Sequence, residues 1–226
     1  AAWGPSGSSL YTRALEEEAR IASRIRHPNV VQPLDFVVEG DDLFIVMEYV
    51  HGVAFSRLLA CAGDGVVPHP VTAAIVSDVL LGLHAAHEAT DEQGRPLGVV
   101  HRDLSPHNVL VGVDGVARLA DFGIAKVMRS KEQTMTGIVK GKLAYMAPEQ
   151  LRGLPLTRQA DIFSAGAVLA EALAGVGPDA DVEDPAAWLS IALERITSPA
   201  LLEVVRVATS PDPRDRYATA AEMAIA

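Results

Sequence analysis

Hydrophobic and polar positions divide the chain into two regimes. After a Gly/Ser-rich opening (Gly4 to Ser9), Leu10 to Arg26 has helical character, with Ile21, Ala22 and Ile25 on one face. His27-Pro28-Asn29 ends that helix, because the residue before a proline avoids the helical region. Val30 to Val38 and Leu43 to Val50 are runs rich in Val, Ile and Phe, separated by Glu39-Gly40-Asp41-Asp42, and predict a hairpin. Helical spacing dominates from Phe55 onward, first over Phe55 to Ala62 and then over Pro70 to Ala89. Two short strands come next, Val109 to Val113 and Val116 to Ala120, joined by the turn dipeptide Asp114-Gly115. Asp121 to Ala147 reads as irregular. Further helices are expected near Ala160 to Ala174, Ala186 to Ile196, Pro199 to Ala208, and from Ala218 to the end. The pattern predicts an α+β chain, a small mixed part ahead of a larger helical part.

Composition narrows the function classes. At 226 residues, 49% apolar and 21% charged, the chain has the make-up of a folded domain with a sizeable core. A formal net charge of -10 argues against nonspecific nucleic-acid or anionic-membrane binding, which wants a basic face. One cysteine, Cys61, excludes an internal disulfide and a multi-cysteine metal site, and makes a reducing cytoplasm the expectation. The longest greasy stretch, Ile162 to Gly175, is short and carries Glu171, so it reads as a buried helix. No membrane contact is expected within this segment, although a parent chain anchored elsewhere is compatible with it. The chain opens Ala1-Ala2-Trp3 without an initiator Met, which points to an absent upstream piece.

Three acidic or amide side chains stand where chemistry is expected. Asp103 lies in His101-Arg102-Asp103, Asn108 comes five places later, and Asp121 opens Asp121-Phe122-Gly123. Taken singly, an Asp or Asn beside a strand end is a turn or cap residue. Together with Ala147-Pro148-Glu149, ordered along the chain and each beside the expected strand or helix, they form a set. The set resembles the catalytic domain of a eukaryotic-like bacterial serine/threonine protein kinase. That resemblance implies a two-lobed fold. Residues 1-50 would be a partial N-lobe (helix C, strands four and five in family order, and the start of the hinge). Residues 51-226 would be a largely helical C-lobe with the catalytic loop and activation segment.

The resemblance also implies a chemistry, with ATP and Mg²⁺ as cofactors and a protein carrying Ser or Thr as substrate. Phosphoryl transfer needs positioning and charge neutralisation more than covalent help. Asp103 would orient the substrate hydroxyl and accept its proton, while Asn108 and Asp121 offer hard oxygen ligands suited to Mg²⁺. Met47 resembles the gatekeeper, Glu48 to Val50 the hinge that holds adenine, and Leu110 the residue beneath the ring. Glu18 shares a helix face with Ile21, Ala22 and Ile25, where a carboxylate wants a cationic partner. In the family that partner is a lysine on the third strand. Alternatively, Glu16, Glu17 and Glu18 are acidic residues favoured near a helix start. No lysine precedes Lys126, and no Gly-x-Gly-x-x-Gly loop precedes the helix. Family spacing puts the lysine just before Ala1, so truncation is the expected cause and this fragment is expected to be inactive alone.

One departure from the family pattern carries an expectation. The family places Lys two positions after the catalytic Asp, where this chain has Ser105, and Thr after the glycine at 141, where this chain has Lys142. The pair would be exchanged, with Lys142 bringing an ammonium to Asp103 and the γ-phosphate, and Ser105 supplying the hydroxyl. Otherwise Lys142 is a solvated loop residue. Regulation is implied by Arg102 facing a phosphate on Thr134 or Thr136, with autophosphorylation or a kinase dimer as its setting. Asp161 resembles the anchor of the catalytic-loop backbone, Glu149 and Arg216 a buried ion pair, and Leu34, Ala22, Phe122 and His101 a stacked spine. Two other readings stand beside the kinase: a pseudokinase-like binding or scaffold module, and a small-molecule phosphotransferase of related fold.

Overall fold

A computed structural model describes residues 24–39, 42–63, 66–121, 140–178 and 187–226. The expected hairpin is present as β1 (Pro33–Glu39) and β2 (Asp42–Met47), paired antiparallel from Pro33↔Met47 to Glu39↔Asp42. β1 begins at Pro33, later than the apolar run suggests. Val30 is instead bridged to Leu119, and the Val31 N–H donates to the Leu119 carbonyl at 2.9 Å. Ile25 and Val30 therefore share the main hydrophobic core with the helical part.

A second sheet carries the chemistry-bearing turns. β3 (Gly52–Ala54), β4 (Val109–Gly112) and β5 (Ala117–Leu119) form an antiparallel sheet in the order β3-β4-β5. On β4, Val109 is buried and Leu110 half-buried on the opposite face, as strand alternation requires.

Helices pack beneath this sheet. α1 (Phe55–Cys61) continues directly from β3, and α2 (His69–His87) starts with Pro70 in its first turn, where a missing N–H costs nothing. α2 is long and apolar enough to cross a membrane by length and composition, yet Ile75, Val76, Val79, Leu80 and Leu83 pack in the core. Lys140–Leu143 forms a short helix, α3, inside the stretch expected to be irregular, and Pro148–Leu151 forms α4.

α5 (Arg158–Ala174) is the centre of the molecule. Apolar residues surround it, and nearly all of its side chains are buried. Gly175 caps its C-terminus in the left-handed region (φ 66°), where a side chain is strained. α6 (Ala187–Arg195), α7 (Pro199–Ala208) and α8 (Ala220–Ile225) complete the fold. Ser198 and Thr219 cap α7 and α8 by accepting the N–H groups of Leu201 and Glu222. A small β part joined to a larger helical part is the expected α+β architecture.

Candidate active site

The loop that begins at His101 is held from below by one buried carboxylate. Asp161, in the first turn of α5, accepts the His101 N–H at 2.7 Å on Oδ2 and the Arg102 N–H at 2.8 Å on Oδ1. The His87 Nε2 lies 2.8 Å from the same Oδ2. This fixes Arg102 in the left-handed region (φ 66°), a conformation that persists only when neighbours over-determine it. From the other side, the Gln150 Nε2 donates to the Arg102 carbonyl at 2.7 Å.

His101 turns the loop toward the strand β5 and the residues after it. It is fully buried, and burial drives its pKa below the ordinary histidine value. A neutral ring satisfies both neighbours: Nε2–H donates to the Ala120 carbonyl at 3.1 Å, and Nδ1 accepts the Asp103 N–H at 3.3 Å. Asp103 and Asp121 both act electrostatically on the ring. Two loop ends separated in sequence are thereby drawn together.

Asn108 adds a second tie. Its Nδ2 donates to the Asp103 carbonyl at 2.8 Å and lies 3.3 Å from Asp103 Oδ2, while the Ala120 N–H donates to the Asn108 carbonyl at 2.8 Å. With the amide nitrogen committed to Asp103, the amide oxygen is the ligand Asn108 offers a cation. Asp121, next after Ala120, has φ 54° and is exposed. An amide oxygen and an exposed carboxylate are the hard, oxygen-only donor set Mg²⁺ accepts.

Lys142, on α3, reaches the same carboxylate. Its Nζ lies 3.0 Å from Asp103 Oδ2, with the Asp103 side chain 11% and the Lys142 side chain 33% exposed. The solvated-loop alternative is not what the geometry has. Ser105 behaves differently from the expected exchange: it is 1% exposed, and its hydroxyl is buried without a hydrogen-bond partner among the described residues.

The remaining expected residues separate into groups. Met47 stands 40% exposed at the end of β2, Glu48 is half-buried with its N–H paired to the Gln32 carbonyl, and Val50 is half-buried. Glu18, Thr134 and Thr136 lie outside the described residues, as do Ala22 and Phe122. Leu34 is 66% exposed and so is not part of a buried column with His101. Glu149 and Arg216 do pair, at 2.7 and 2.9 Å in a two-pronged contact. Arg216 also donates to the Ser210 and Gln159 carbonyls and lies 5.0 Å over the Phe163 ring. Burial would raise the Glu149 carboxyl, and the guanidinium outweighs it, holding the group below the ordinary carboxylate range.

Sequence reasoning missed His87, Gln150, Tyr145, Glu171 and Trp188. The Tyr145 hydroxyl donates to Glu171 Oε2 at 2.6 Å, and the Trp188 Nε1–H donates to the Ala144 carbonyl at 3.2 Å. Burial pushes the Glu171 carboxyl up, and burial beside that carboxylate raises the Tyr145 phenol. A cavity of about 580 Å³ opens beside Asp103's partner, lined by Ser56, His107, Lys142, Tyr145 and Glu171 among others. Of the five, Glu171 alone carried a signal, as the one charge in the otherwise apolar stretch from Ile162 to Gly175.

Asp103, Asn108 and Lys142 stand together, with Asp121 on the loop that follows β5. The chain belongs to the protein kinase domain family, whose pattern matches residues 6–221. It is 40% identical over 221 residues to the tyrosine-protein kinase MasK of Myxococcus xanthus, covering 93% of this chain and 34% of that protein. It is 34% identical to the serine/threonine-protein kinase PknL of Mycobacterium tuberculosis, covering 96% and 54%, and 34% identical to PrkC of Bacillus subtilis, covering 94% and 33%. The chain thus spans about a third to a half of the curated relatives it matches. The crystal structure of the Mycobacterium tuberculosis PknI kinase domain superposes with a TM-score of 0.74 at 27% identity, covering 98% of this chain and 81% of that one.

Proposed function

We propose that this chain is the catalytic part of a bacterial serine/threonine protein kinase that transfers the ATP γ-phosphoryl group to a Ser or Thr hydroxyl of a protein. The observation that carries the reading is the convergence of Lys142 Nζ and Asn108 Nδ2 on one Asp103 carboxylate oxygen. Asp103 orients the acceptor hydroxyl and takes its proton as the oxygen bonds to the γ-phosphorus. The bond from that phosphorus to the β–γ bridging oxygen breaks, and ADP leaves. Lys142 offsets negative charge building on the transferring group. Asn108 and Asp121 would hold Mg²⁺, which when bound neutralises phosphate charge. Leu110, Met47 and the Glu48 to Val50 backbone would form the adenine site, with Glu18 paired to a cation.

The serine/threonine preference is supported by the names of PknL and PrkC; MasK is named for tyrosine. Phosphorylation of Thr134 or Thr136 would supply Arg102 with an anion, and the Arg102 Nε is buried without a hydrogen-bond partner among the described residues. The two parts at 1-50 and 51-226 would act as the lobes. We place the activity in the cytoplasm, with autophosphorylation as its readiest assay.

The test uses the complete protein that carries this domain. Radiolabelled ATP should label it or a generic protein substrate, Asp103→Asn should abolish labelling, and acid hydrolysis should release phosphoserine or phosphothreonine. Nucleotide binding without any transfer would instead support the pseudokinase-like module. Phosphotyrosine alone would overturn the serine/threonine preference.

A further inference from the structure

The ammonium at Asp103 is carried by a different element from Asp103 itself. A cation on the catalytic loop would share the backbone that Asp161 pins. Lys142 sits instead on α3, a helix of four residues, too short to hold itself in place. Its seat is supplied by residues 144 to 146. The Tyr145 N–H donates back to the Lys142 carbonyl at 3.3 Å, and the Met146 N–H to the Leu143 carbonyl at 3.1 Å, so the turn continues beyond the helix.

Those residues are clamped to the core from three directions. Tyr145 donates to Glu171 on α5 at 2.6 Å, Ser164 Oγ donates to the Tyr145 carbonyl at 2.8 Å, and Trp188 on α6 donates to the Ala144 carbonyl at 3.2 Å. The Tyr145 and Trp188 rings pack at 5.9 Å, tilted. Beside them lies the open cavity that Lys142 also lines, so the lysine stem has space along one side. The clamp fixes the backbone from which the Lys142 side chain, 33% exposed, extends to Asp103.

We infer that Tyr145, through Glu171, and Trp188 are positioning residues for phosphoryl transfer that act through Lys142. This rests on the reading of Asp103 as the base and Lys142 as its cation. Glu171 holds the turn and does not grip the substrate.

The experiment is a double-variant cycle in the complete protein, measuring kcat and KM for ATP and for a peptide substrate. Lys142→Ala should lower kcat on the order of 10²-fold. Trp188→Phe, which keeps a ring and removes the N–H, should lower kcat about 10-fold with both KM values unchanged, as a displaced charge does. In the Lys142→Ala background the same Trp188→Phe change should cost nothing further. Equal losses in both backgrounds would overturn the inference and leave the Lys142 role intact. An unchanged kcat in Lys142→Ala would overturn the underlying reading as well. Tyr145→Phe repeats the cycle through the other arm of the clamp, should Trp188→Phe fail to fold. A rise in peptide KM at constant kcat for Tyr145→Phe would assign Glu171 to substrate binding and overturn the inference.

Discussion

Asp161→Asn is the substitution through which the site's architecture can be read most sharply, because it keeps shape and changes only charge and one acceptor. The carboxylate accepts on both oxygens, from Arg102 on Oδ1 and from His101 on Oδ2, where the His87 ring is a third neighbour. An asparagine NH₂ must occupy one of those two positions. At Oδ1 it opposes the Arg102 N–H, and at Oδ2 it opposes the His101 N–H. Either way one backbone donor of the catalytic loop loses its acceptor in a buried setting, at about 1–3 kcal/mol. The bonds that survive lose their charge assistance, roughly half their strength. A total of about 2–5 kcal/mol is expected from these two losses, read as a lowered denaturation midpoint at unchanged m-value. The functional loss should be larger than stability alone implies. Arg102 at φ 66° has no other tie on its N–H among the described residues, and relaxation there moves Asp103, for which a displacement near 1 Å costs on the order of 10²-fold. The assay is kcat/KM of the complete protein at a temperature where the variant is still folded by near-ultraviolet circular dichroism. Folded Asp161→Asn protein with wild-type kcat/KM would refute the claim that this carboxylate sets the loop geometry.

The buried pair, the helix packing and the buried histidine each carry an expected outcome of their own. Arg216→Ala should destabilise by about 3–5 kcal/mol in chemical denaturation, since Glu149 is left buried and unpaired; a loss below about 1 kcal/mol would mean that water reaches the carboxylate. Gly166→Val should cost about 1–3 kcal/mol by overpacking, because a Cβ there would stand 2.7 Å from the Ala208 Cβ; calorimetric melting reads this directly. His101 has its pKa driven down by burial, so the unfolded chain takes up a proton first as pH falls. Its contribution to stability is present above the unfolded value near 6.5 and is lost as pH drops below it, so denaturation midpoints should decline from about pH 7 to about pH 5. That decline should be shallower in His101→Leu.

What the sequence reveals about this site, and what it withholds, divides along one physical line. Asp161, Glu149 and Arg216 were legible because the residue type itself is demanded by charge, so their order along the chain is the signal. α7 was legible to the residue, since Ser198-Pro199 marks its start with a cap and a proline, and both act locally. The His87–Asp161 contact was not legible, because the partners are 74 positions apart and a histidine near the end of an apolar helix looks like any other. The Trp188 N–H and Gln150 amide were hidden for the same reason: their partners are backbone carbonyls, which every residue has. Ser105 shows the limit from the other direction. Its place in the pattern predicted a hydroxyl at the reacting centre; the residue is 1% exposed and its Oγ has no partner among the described residues. Motif position fixes which side chain is available, whereas the direction it points is decided by φ and ψ set through contacts made elsewhere. Lys142 reached Asp103 because the turn bearing it is held by groups on α5 and α6. The charges that meet at Asp103 are thus carried by elements that no single stretch of sequence contains.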